Sequence, residues 1–325
     1  MNYSTAMPAA TAGPDDVVLP FQIENAPVRG RVVRLGHVVD HILARHSYPV
    51  PVARLLGEHL TIATLLSGML KYDGIFTLQV KGSGPVTMMV ADVTTEGAVR
   101  GFAQYNAKAV ETLDTMADAT IPALLGSGYI AFTVDQGENT ERYQGIVELT
   151  GERLVDSVHH YFAQSEQLDA SLILAVGQIA RADDAPGSGF SWRSGGLLIQ
   201  RMPREGAGGA ADDGATPEEL EAWNRSRILA ETTTEAELLD PTVATNDLLF
   251  RLFHEDGVRV YPAKAVEDTC RCSAERVERV LRAIPDDELA DLKTDEGIVQ
   301  VTCEFCNRQY NYDDDALAAL RLRSA

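Results

Sequence analysis

Apolar residues recur at helical spacing in two stretches near the start of the chain. Val38, Ile42 and Leu43 lie on one face of a short helix. A longer stretch repeats the pattern over a broader face, through Leu55, Leu56, Ile62, Leu65, Leu66 and Met69. Residues three and four apart meet on one side of an α-helix, so both stretches predict helices that turn an apolar face towards a core.

Between residues 75 and 149 the pattern changes to apolar runs separated by turn residues. Runs 75–80 and 86–93 flank Gly82-Ser83-Gly84-Pro85, and runs 129–135 and 143–149 flank a second polar turn. Apolar and β-branched runs joined by short turns of this kind are typical of β-hairpins. Hairpins beside helices predict an α+β fold, in which the N-terminal part is a mixed α/β domain with antiparallel hairpins and not a doubly wound parallel sheet.

A break in the pattern follows the N-terminal part. Residues 204–216 are rich in Gly, Ala and Asp, which predicts a flexible stretch. Thr216, Pro217 and Glu219 then supply an N-cap, a proline at the first helical position and a capping-box glutamate. We therefore predict that a helix begins at Pro217.

This predicted linker helix has a sparse apolar face and many acidic residues. Residues 211–240 contain nine acidic residues and two arginines. Such a helix is marginal alone and needs another surface to stay ordered. From these features alone, a plain tether between domains is the simpler interpretation. The apolar face consists of Leu220, Trp223, Ile228 and Leu229.

The remaining residues predict a small terminal domain. Asn246-Asp247 is predicted to cap a short apolar helix, and Ser273 is predicted to cap a second helix. Residues 298–301 predict a strand that runs into Cys303, and a return strand leaves Cys306. The predicted parts of the chain are an N-terminal domain at 17–203, a helical linker at 204–245 and a C-terminal domain at 246–325.

Charge and composition narrow the classes of function. The formal charge is −20, whereas nucleic-acid binding depends on clustered cations, so we expect no nucleic-acid partner. The most apolar run, Leu60 to Leu70, is 11 residues long, too short for a bilayer span of about 20 residues. The first 16 residues lack the basic and apolar regions of a signal peptide. We therefore expect a cytoplasmic protein without membrane association, where clustered cysteines serve as metal ligands or redox switches.

All four cysteines lie close together near the C-terminus, as the pairs Cys270, Cys272 and Cys303, Cys306. Four thiols in two pairs predict a tetrahedral Zn²⁺ site. A permanently zinc-bound structural ribbon is one interpretation. The Cys-x-Cys pair favours another, because a disulfide in so tight a ring is strained, and strained disulfides are labile. Zinc also keeps the sulfurs as thiolates, the form that reacts with oxidants, so the pattern indicates a redox sensor.

Several longer segments carry a family resemblance. In chain order they are FQIENAPVRG (21–30), LLSGMLKYDG (65–74), ERYQGIVEL (141–149), HYFAQSEQL (160–168), GGLLIQRMP (195–203), LLFRLFHEDGVRVY (248–261), CRCS (270–273), SAERVERVLRAI (273–284) and VTCEFCNRQY (301–310). Together they resemble the bacterial thirty-three-kilodalton heat-shock protein family, whose members are redox-regulated holdase chaperones. The resemblance covers most of residues 21 to 312.

The resemblance implies a mechanism for the cysteine cluster. The four cysteines would hold one Zn²⁺ in the reduced state. Oxidation would join Cys270 to Cys272 and Cys303 to Cys306, zinc would be lost and the linker would lose order. An apolar surface, covered until then by the apolar face of the linker helix, would bind unfolding client proteins without ATP. Active members dimerise through the N-terminal domain, so we expect a homodimer when the protein is oxidised.

Two other classes of function remain open from the residues. One is a thiol–disulfide oxidoreductase, and the absence of a thioredoxin-like βαβ context around Cys303 argues against it. The other is a structural zinc ribbon that binds nucleic acid, which the net charge disfavours. The sequence has no local signature of a serine, cysteine or metal hydrolase, so we predict no catalytic residues and no enzymatic activity.

Overall fold

Antiparallel strands make up much of the chain between residues 15 and 268. The computed structural model describes residues 15–69, 72–113, 120–137, 142–166, 168–180, 189–202 and 215–322. By its internal contacts the chain divides into two compact units, Met1–Asp268 and Thr269–Ala325. Most of the predicted flexible stretch at 204–216 lies outside the described residues.

The structure contains the following elements. The strands are β1 (Val17–Ile23), β2 (Val28–Leu35), β3 (Ile75–Gly82), β4 (Val86–Thr94), β5 (Ala98–Tyr105), β6 (Gly128–Asp135), β7 (Tyr143–Glu148), β8 (Ala170–Ala180), β9 (Phe190–Arg201), β10 (Val258–Val260), β11 (Lys264–Ala265), β12 (Glu267–Asp268), β13 (Val299–Thr302) and β14 (Gln309–Tyr312). The helices are α1 (His37–Ala44), α2 (Val50–Ser67), α3 (Ala107–Glu111), α4 (Ile121–Leu124), α5 (Leu154–Tyr161), α6 (Pro217–Glu231), α7 (Glu235–Leu239), α8 (Thr245–Phe253), α9 (Ala274–Ala283), α10 (Asp286–Asp291) and α11 (Asp314–Leu322). A π-helical turn, Phe162–Glu166, continues α5.

The first unit contains two six-stranded sheets. Sheet 1 has the order β10-β1-β2-β9-β8, with β11 also paired to β1, and sheet 2 has the order β12-β5-β4-β3-β6-β7. Strand β3 pairs antiparallel with β4, and β6 pairs antiparallel with β7. Both predicted hairpins are therefore present, and the α+β fold class is confirmed.

Helix α2 lies at the centre of the larger core. Its residues are buried almost without interruption from Pro51 to Leu66, and it contacts strands of both sheets. A helix that is buried on nearly every side is enclosed by other elements. The predicted helices around Val38 and Leu56 are both confirmed, as α1 and α2.

Sheet 1 is apolar on both faces. In β1, Val18 belongs to the larger core, whereas Leu19 and Phe21, an odd number of residues further along the strand, belong to a second core on the other side. This alternation follows from the two-residue period of a strand. The outer face of sheet 1 consists of Leu19, Phe21, Ile23, Val28, Val32, Ala175, Leu197 and Ile199. A sheet with two apolar faces needs a cover on each of them.

Helices α6, α7 and α8 cover this outer face, and we call residues 215–253 the linker segment. Its side chains in the second core are Ala222, Trp223, Ala230, Leu238, Leu248, Leu249, Leu252 and Phe253. The approach is close at Gly195, where a Cβ would lie 2.7 Å from the carbonyl oxygen of Leu238. Any larger residue at this position would push α7 away from the sheet.

The apolar face predicted for the linker helix needs a correction. Trp223 is buried and Leu229 packs partly buried against the second core, but Leu220 is 42% exposed and Ile228 is 56% exposed. The buried stripe of α6 is made of small residues four apart: Ala222, Ser226 and Ala230. Small side chains let the helix backbone lie close to the sheet, so Trp223 and Leu229 flank the contact while the other two apolar residues face away.

The compact units do not divide at residue 246, where the terminal domain was predicted to begin. Helix α8 packs into the second core, and the ring of Phe253 stacks on that of Phe21 with centroids 5.7 Å apart. Strand β10 then pairs with β1. The first unit therefore continues to Asp268. The helix also begins earlier than predicted, with its N-cap at Ala244 and not at Asn246-Asp247.

The second unit is small and has its own core. Strands β13 and β14 form a hairpin, and α9 begins after the predicted N-cap Ser273, whose hydroxyl accepts a hydrogen bond from the Arg276 N–H. The core of this unit consists of Leu281, Leu289, Val299, Tyr312 and Leu320. So few buried side chains give a unit of this size little stability, which makes a metal crosslink valuable to it.

Candidate metal centre

Two local structures present the four cysteines. Cys270 and Cys272 lie in the irregular segment that leads into α9, and Cys303 and Cys306 lie in the turn between β13 and β14. The turn is closed by the Cys303 N–H, which donates to the Arg308 carbonyl at 2.9 Å. Asn307 adopts a positive φ of 57° in this turn, a conformation that asparagine tolerates better than most residues. The predicted pair of strands around Cys303 and Cys306 is therefore present, and we call the turn that joins them the knuckle.

The sulfur atoms converge on one point. Cys270 Sγ lies 3.8 Å from Cys303 Sγ, and Cys272 Sγ lies 3.4 Å from Cys306 Sγ. All four sulfurs lie within 4.8 Å of one another. Zn–S bonds of about 2.3 Å in a tetrahedron imply S···S separations of about 3.8 Å. The donor set and its spacing therefore fit a Zn²⁺ ion without rearrangement of the backbone.

The shortest S···S distances join one pair to the other. All four sulfurs are nevertheless mutually close, so the spacing is that of a metal site and does not select a disulfide pattern. The pairing of Cys270 with Cys272 and of Cys303 with Cys306 stays a prediction.

Hydrogen bonds reach the sulfurs from different kinds of donor. The Tyr310 hydroxyl donates to Cys272 Sγ at 3.1 Å. Main-chain N–H groups of Phe305 and Cys306 donate to the Cys303 sulfur, and that of Arg308 donates to the Cys306 sulfur. Main-chain groups of the knuckle thus donate to the second pair, whereas the Tyr310 side chain donates to Cys272 of the first pair.

These surroundings set the acidity of the thiols. Burial opposes ionisation of Cys272, but hydrogen bonds from Tyr310 and from the neighbouring thiols lower the pKa of Cys272 to about 7. Burial, together with the neighbouring sulfurs, raises the pKa of Cys306 to about 12. Burial also raises the pKa of Cys303. Four thiols that share charge in this way suit a divalent cation, which compensates several thiolates at once.

A second feature of functional interest joins the linker segment to sheet 1. Arg34 of β2 is almost completely buried and donates to three linker carbonyls: Glu237 at 2.6 Å, Asp240 at 3.0 Å and Val243 at 2.5 Å. Arg193 of β9 donates to the Leu239 carbonyl at 2.8 Å. The two guanidiniums thus bind carbonyl groups at and beyond the end of α7, where the helix itself supplies no donors. We call Arg34 and Arg193 the arginine clasp.

The sequence predicted some of these residues and missed others. All four predicted cysteines come together, and Trp223 and Leu229 contact the sheet as expected of a covering helix. The return strand that leaves Cys306 was predicted, but the hydrogen bond from its residue Tyr310 to Cys272 had no signal in the residue pattern. The arginine clasp was also missed, because an arginine in an apolar strand does not reveal whether its partner is a carboxylate, a carbonyl or water.

Within the part of the chain that the structure describes, no helix combines the length and the apolar character needed to cross a membrane.

Comparisons with known proteins agree on one family. The family model described as Hsp33 protein matches residues 16–313. A protein of Caulobacter vibrioides named 33 kDa chaperonin is 44% identical over 300 residues, which cover 92% of this chain and 95% of the relative. A 33 kDa chaperonin of Cronobacter sakazakii is 36% identical over 301 residues, covering 93% of each chain.

A solved structure shares the fold. The crystal structure of the 33 kDa chaperonin (heat shock protein 33 homolog) of Thermotoga maritima matches with a TM-score of 0.73. The match covers 95% of this chain and 99% of the Thermotoga maritima chain, at 23% sequence identity.

Proposed function

This chain belongs to the Hsp33 family, and from that membership we propose that it is a redox-regulated holdase chaperone of the cytoplasm that acts without ATP. Its partners are unfolding client proteins, with no nucleic acid and no membrane. It is not an enzyme, because it holds clients without turning over a substrate. The oxidised, active form is a homodimer.

The four cysteines form the switch. In the reduced protein Cys270, Cys272, Cys303 and Cys306 hold one Zn²⁺, which supplies a crosslink between the hairpin turn and the segment before α9. Peroxide accepts two electrons from each pair of thiolates, so that four thiolates become two disulfides, Cys270–Cys272 and Cys303–Cys306. Disulfide sulfurs are poor ligands, so the crosslink is lost and the small unit loses most of its stability.

The linker segment is the cover that the switch controls. The observation that carries this proposal is the second core, in which the linker segment lies over the apolar outer face of sheet 1. Residues 217–240 carry seven acidic and two basic residues, so self-repulsion favours the unfolded linker once its docking is weakened. Undocking would expose the outer face of sheet 1, a continuous apolar surface of the kind that binds other proteins.

The division of labour follows the chain. We propose residues 17–203 as the chaperone and dimerisation domain and residues 204–253 as the metastable linker. The linker extends past the predicted limit at 245, because α8 is part of the cover. The cysteine-bearing unit from Thr269 onwards is the redox switch.

A direct test compares reduced, zinc-loaded protein with the same protein after peroxide treatment at heat-shock temperature. We expect the oxidised sample to suppress light scattering by a thermally unfolding client at equimolar ratio, and the reduced sample to suppress it weakly. Both samples should fail to catalyse insulin reduction by a thiol reductant. Equal suppression by both samples would refute the switch, and catalytic turnover of insulin would favour an oxidoreductase instead.

A further inference from the structure

The first cysteine pair differs from the second in how its sulfur is held. The Tyr310 hydroxyl donates a hydrogen bond of 3.1 Å to Cys272 Sγ. In the second pair, the donors named above are main-chain N–H groups of the knuckle. Main-chain donors persist in any sequence that folds into this turn, whereas the donor to Cys272 depends on one side chain. The first pair is therefore the one whose reactivity a single residue can set.

Two contacts hold the Tyr310 hydroxyl in place. The Tyr310 ring packs partly buried against the core of the second unit, on a strand position opposite Val301. The Arg308 side chain hydrogen-bonds the same hydroxyl, and its positive charge also faces the sulfurs of Cys272 and Cys306. A guanidinium has donors but no acceptor, so it occupies a lone pair of the phenol oxygen. The phenolic hydrogen is thereby left to point at the sulfur.

We propose that Tyr310 is a positioning residue that restrains the Cys272 sulfur and slows its oxidation by peroxide. This inference deepens the proposed function and rests on it, since it concerns the threshold of the same redox switch. Tyr310 does not react itself. It stabilises the negative charge on sulfur in the ground state, and that charge must move as the reaction proceeds.

The step it slows is the first one in forming the Cys270–Cys272 disulfide. The Cys272 thiolate attacks one oxygen of hydrogen peroxide, the O–O bond breaks, hydroxide leaves and the sulfur becomes a sulfenic acid. The Cys270 thiolate then attacks that sulfur, the S–O bond breaks and a second hydroxide leaves. Two electrons pass from the two thiolates to peroxide. In the first step the charge on Cys272 moves onto oxygen, so the hydrogen bond from Tyr310 weakens and the barrier rises.

The matched test compares Tyr310→Phe with Tyr312→Phe. Both variants lose one hydroxyl from the same strand. Tyr312, however, packs in the core of the unit, and its hydroxyl is not among the donors that we assign to the cysteines. The full-length, reduced, zinc-loaded proteins are mixed with hydrogen peroxide and quenched at early times. Differential alkylation and mass spectrometry then give the initial oxidation rate of each cysteine pair, and a chromogenic chelator gives zinc affinity and zinc release.

We expect Tyr310→Phe to oxidise the Cys270–Cys272 pair about threefold to tenfold faster, because a hydrogen bond to a charged acceptor no longer has to be weakened. The initial rate of the Cys303–Cys306 pair should stay near that of the wild type, and Tyr312→Phe should match the wild type at both pairs. An unchanged rate at the first pair would overturn the proposal. Equal acceleration of both pairs with weakened zinc binding would also overturn it, because it would show a merely structural role.

These readouts do not depend on chaperone activity. If oxidised protein fails to suppress client aggregation but Tyr310→Phe still accelerates oxidation of the first pair, the proposed function fails and the role of Tyr310 stands. If suppression switches on normally and the variant oxidises like the wild type, the role of Tyr310 fails alone.

Discussion

Arg34 is the largest of the completely buried side chains in the described part of the chain. Its hydrogen bonds go to the main chain of the linker segment. Burial lowers its pKa, with the charge of Arg193 adding to the effect, while Asp15 and Asp240 oppose it. The hydrogen bonds of this buried guanidinium hold the linker segment on the sheet. Because the charge has lost its water, its hydration favours the state in which the linker segment is undocked.

Removal of Arg34 from the arginine clasp should loosen the linker segment in the reduced protein. Arg34→Met keeps an unbranched chain but leaves the carbonyls of Glu237, Asp240 and Val243 without their donor. Because a lost hydrogen bond to a charged group costs about 1.5–3 kcal/mol, we expect tryptic cleavage after Arg225 and Arg227 to accelerate by about tenfold or more. Cleavage rates are measured by mass spectrometry under native conditions.

The control for this variant is Arg259→Ala. Arg259 pairs with Glu24 on the surface, and exposed ion pairs contribute little to stability. Its linker should be cleaved at the wild-type rate. Wild-type cleavage in Arg34→Met would show that the clasp does not hold the linker.

His59 predicts how the first unit responds to acid. It is fully buried in α2, with Nε2 donating to the Leu78 carbonyl at 3.0 Å. Burial lowers the pKa of His59 to about 4, although the hydrogen bond to Leu78 opposes the shift. The unfolded chain binds a proton at this histidine near pH 6.5 and the folded chain does not. The contribution of neutral His59 to the free energy of unfolding is therefore fully present above pH 6.5 and is lost as the pH falls from there towards 4.

The matched variant is His59→Gln, which retains a donor for the Leu78 carbonyl and does not titrate. Between pH 7.5 and 5.5 the wild type should lose about 1.3 kcal/mol more unfolding free energy than the variant. Urea unfolding followed by the fluorescence of Trp192 and Trp223 measures the difference. The same pH dependence in both proteins would contradict a neutral buried His59.

At the scale of single residues, the sequence is informative where chemistry leaves few alternatives. Four thiols in two closely spaced pairs have few uses, so their convergence in one cluster could be predicted. The partners of Arg34 and Tyr310 could not, because both bonds join segments distant in sequence or depend on a side-chain direction. Arg34 meets Val243 across more than two hundred residues, and local patterns carry no information on such a contact.

At the scale of elements, α6 shows how a correct helix can have the wrong face assigned. Thr216 and Glu219 form the predicted capping box, with both reciprocal hydrogen bonds present. The large apolar residues suggested one face, but small residues determine the contact, because they allow the helix to lie close to a flat sheet. The capping residues therefore predicted the existence and start of the helix, whereas the size of its apolar side chains did not predict which face contacts the sheet.

Two substitutions in α6 separate these faces. Trp223→Ala should remove a buried side chain at a cost of about 3–5 kcal/mol, enough to undock the helix and to give measurable suppression of client aggregation in the reduced state. Ile228→Ala changes a side chain that is 56% exposed and should behave like the wild type. Light scattering by a thermally unfolding client measures both. If Ile228→Ala activates the reduced protein and Trp223→Ala does not, the assigned face is wrong.

At the scale of the whole molecule, the described residues form a first unit with two extensive cores and a second unit with one small core. The first unit has two sheets around a buried helix, and its second core is completed by the acidic linker segment. The second unit has a small core and a cluster of four cysteines. Hairpins, helices and the knuckle could be predicted because they are local. The extent of the linker could not, because α8 and β10 join the first unit through long-range contacts with β1.

In the proposed mechanism, oxidation of the four cysteines, loss of the metal and exposure of the client surface are one event. The most direct measurement titrates the reduced, zinc-loaded protein with peroxide and determines free thiols, released zinc and suppression of client aggregation on the same samples. We expect suppression of client aggregation to rise in proportion to zinc release, up to one zinc and four thiols lost per chain. Full suppression with zinc still bound, or complete zinc release without suppression, would contradict it.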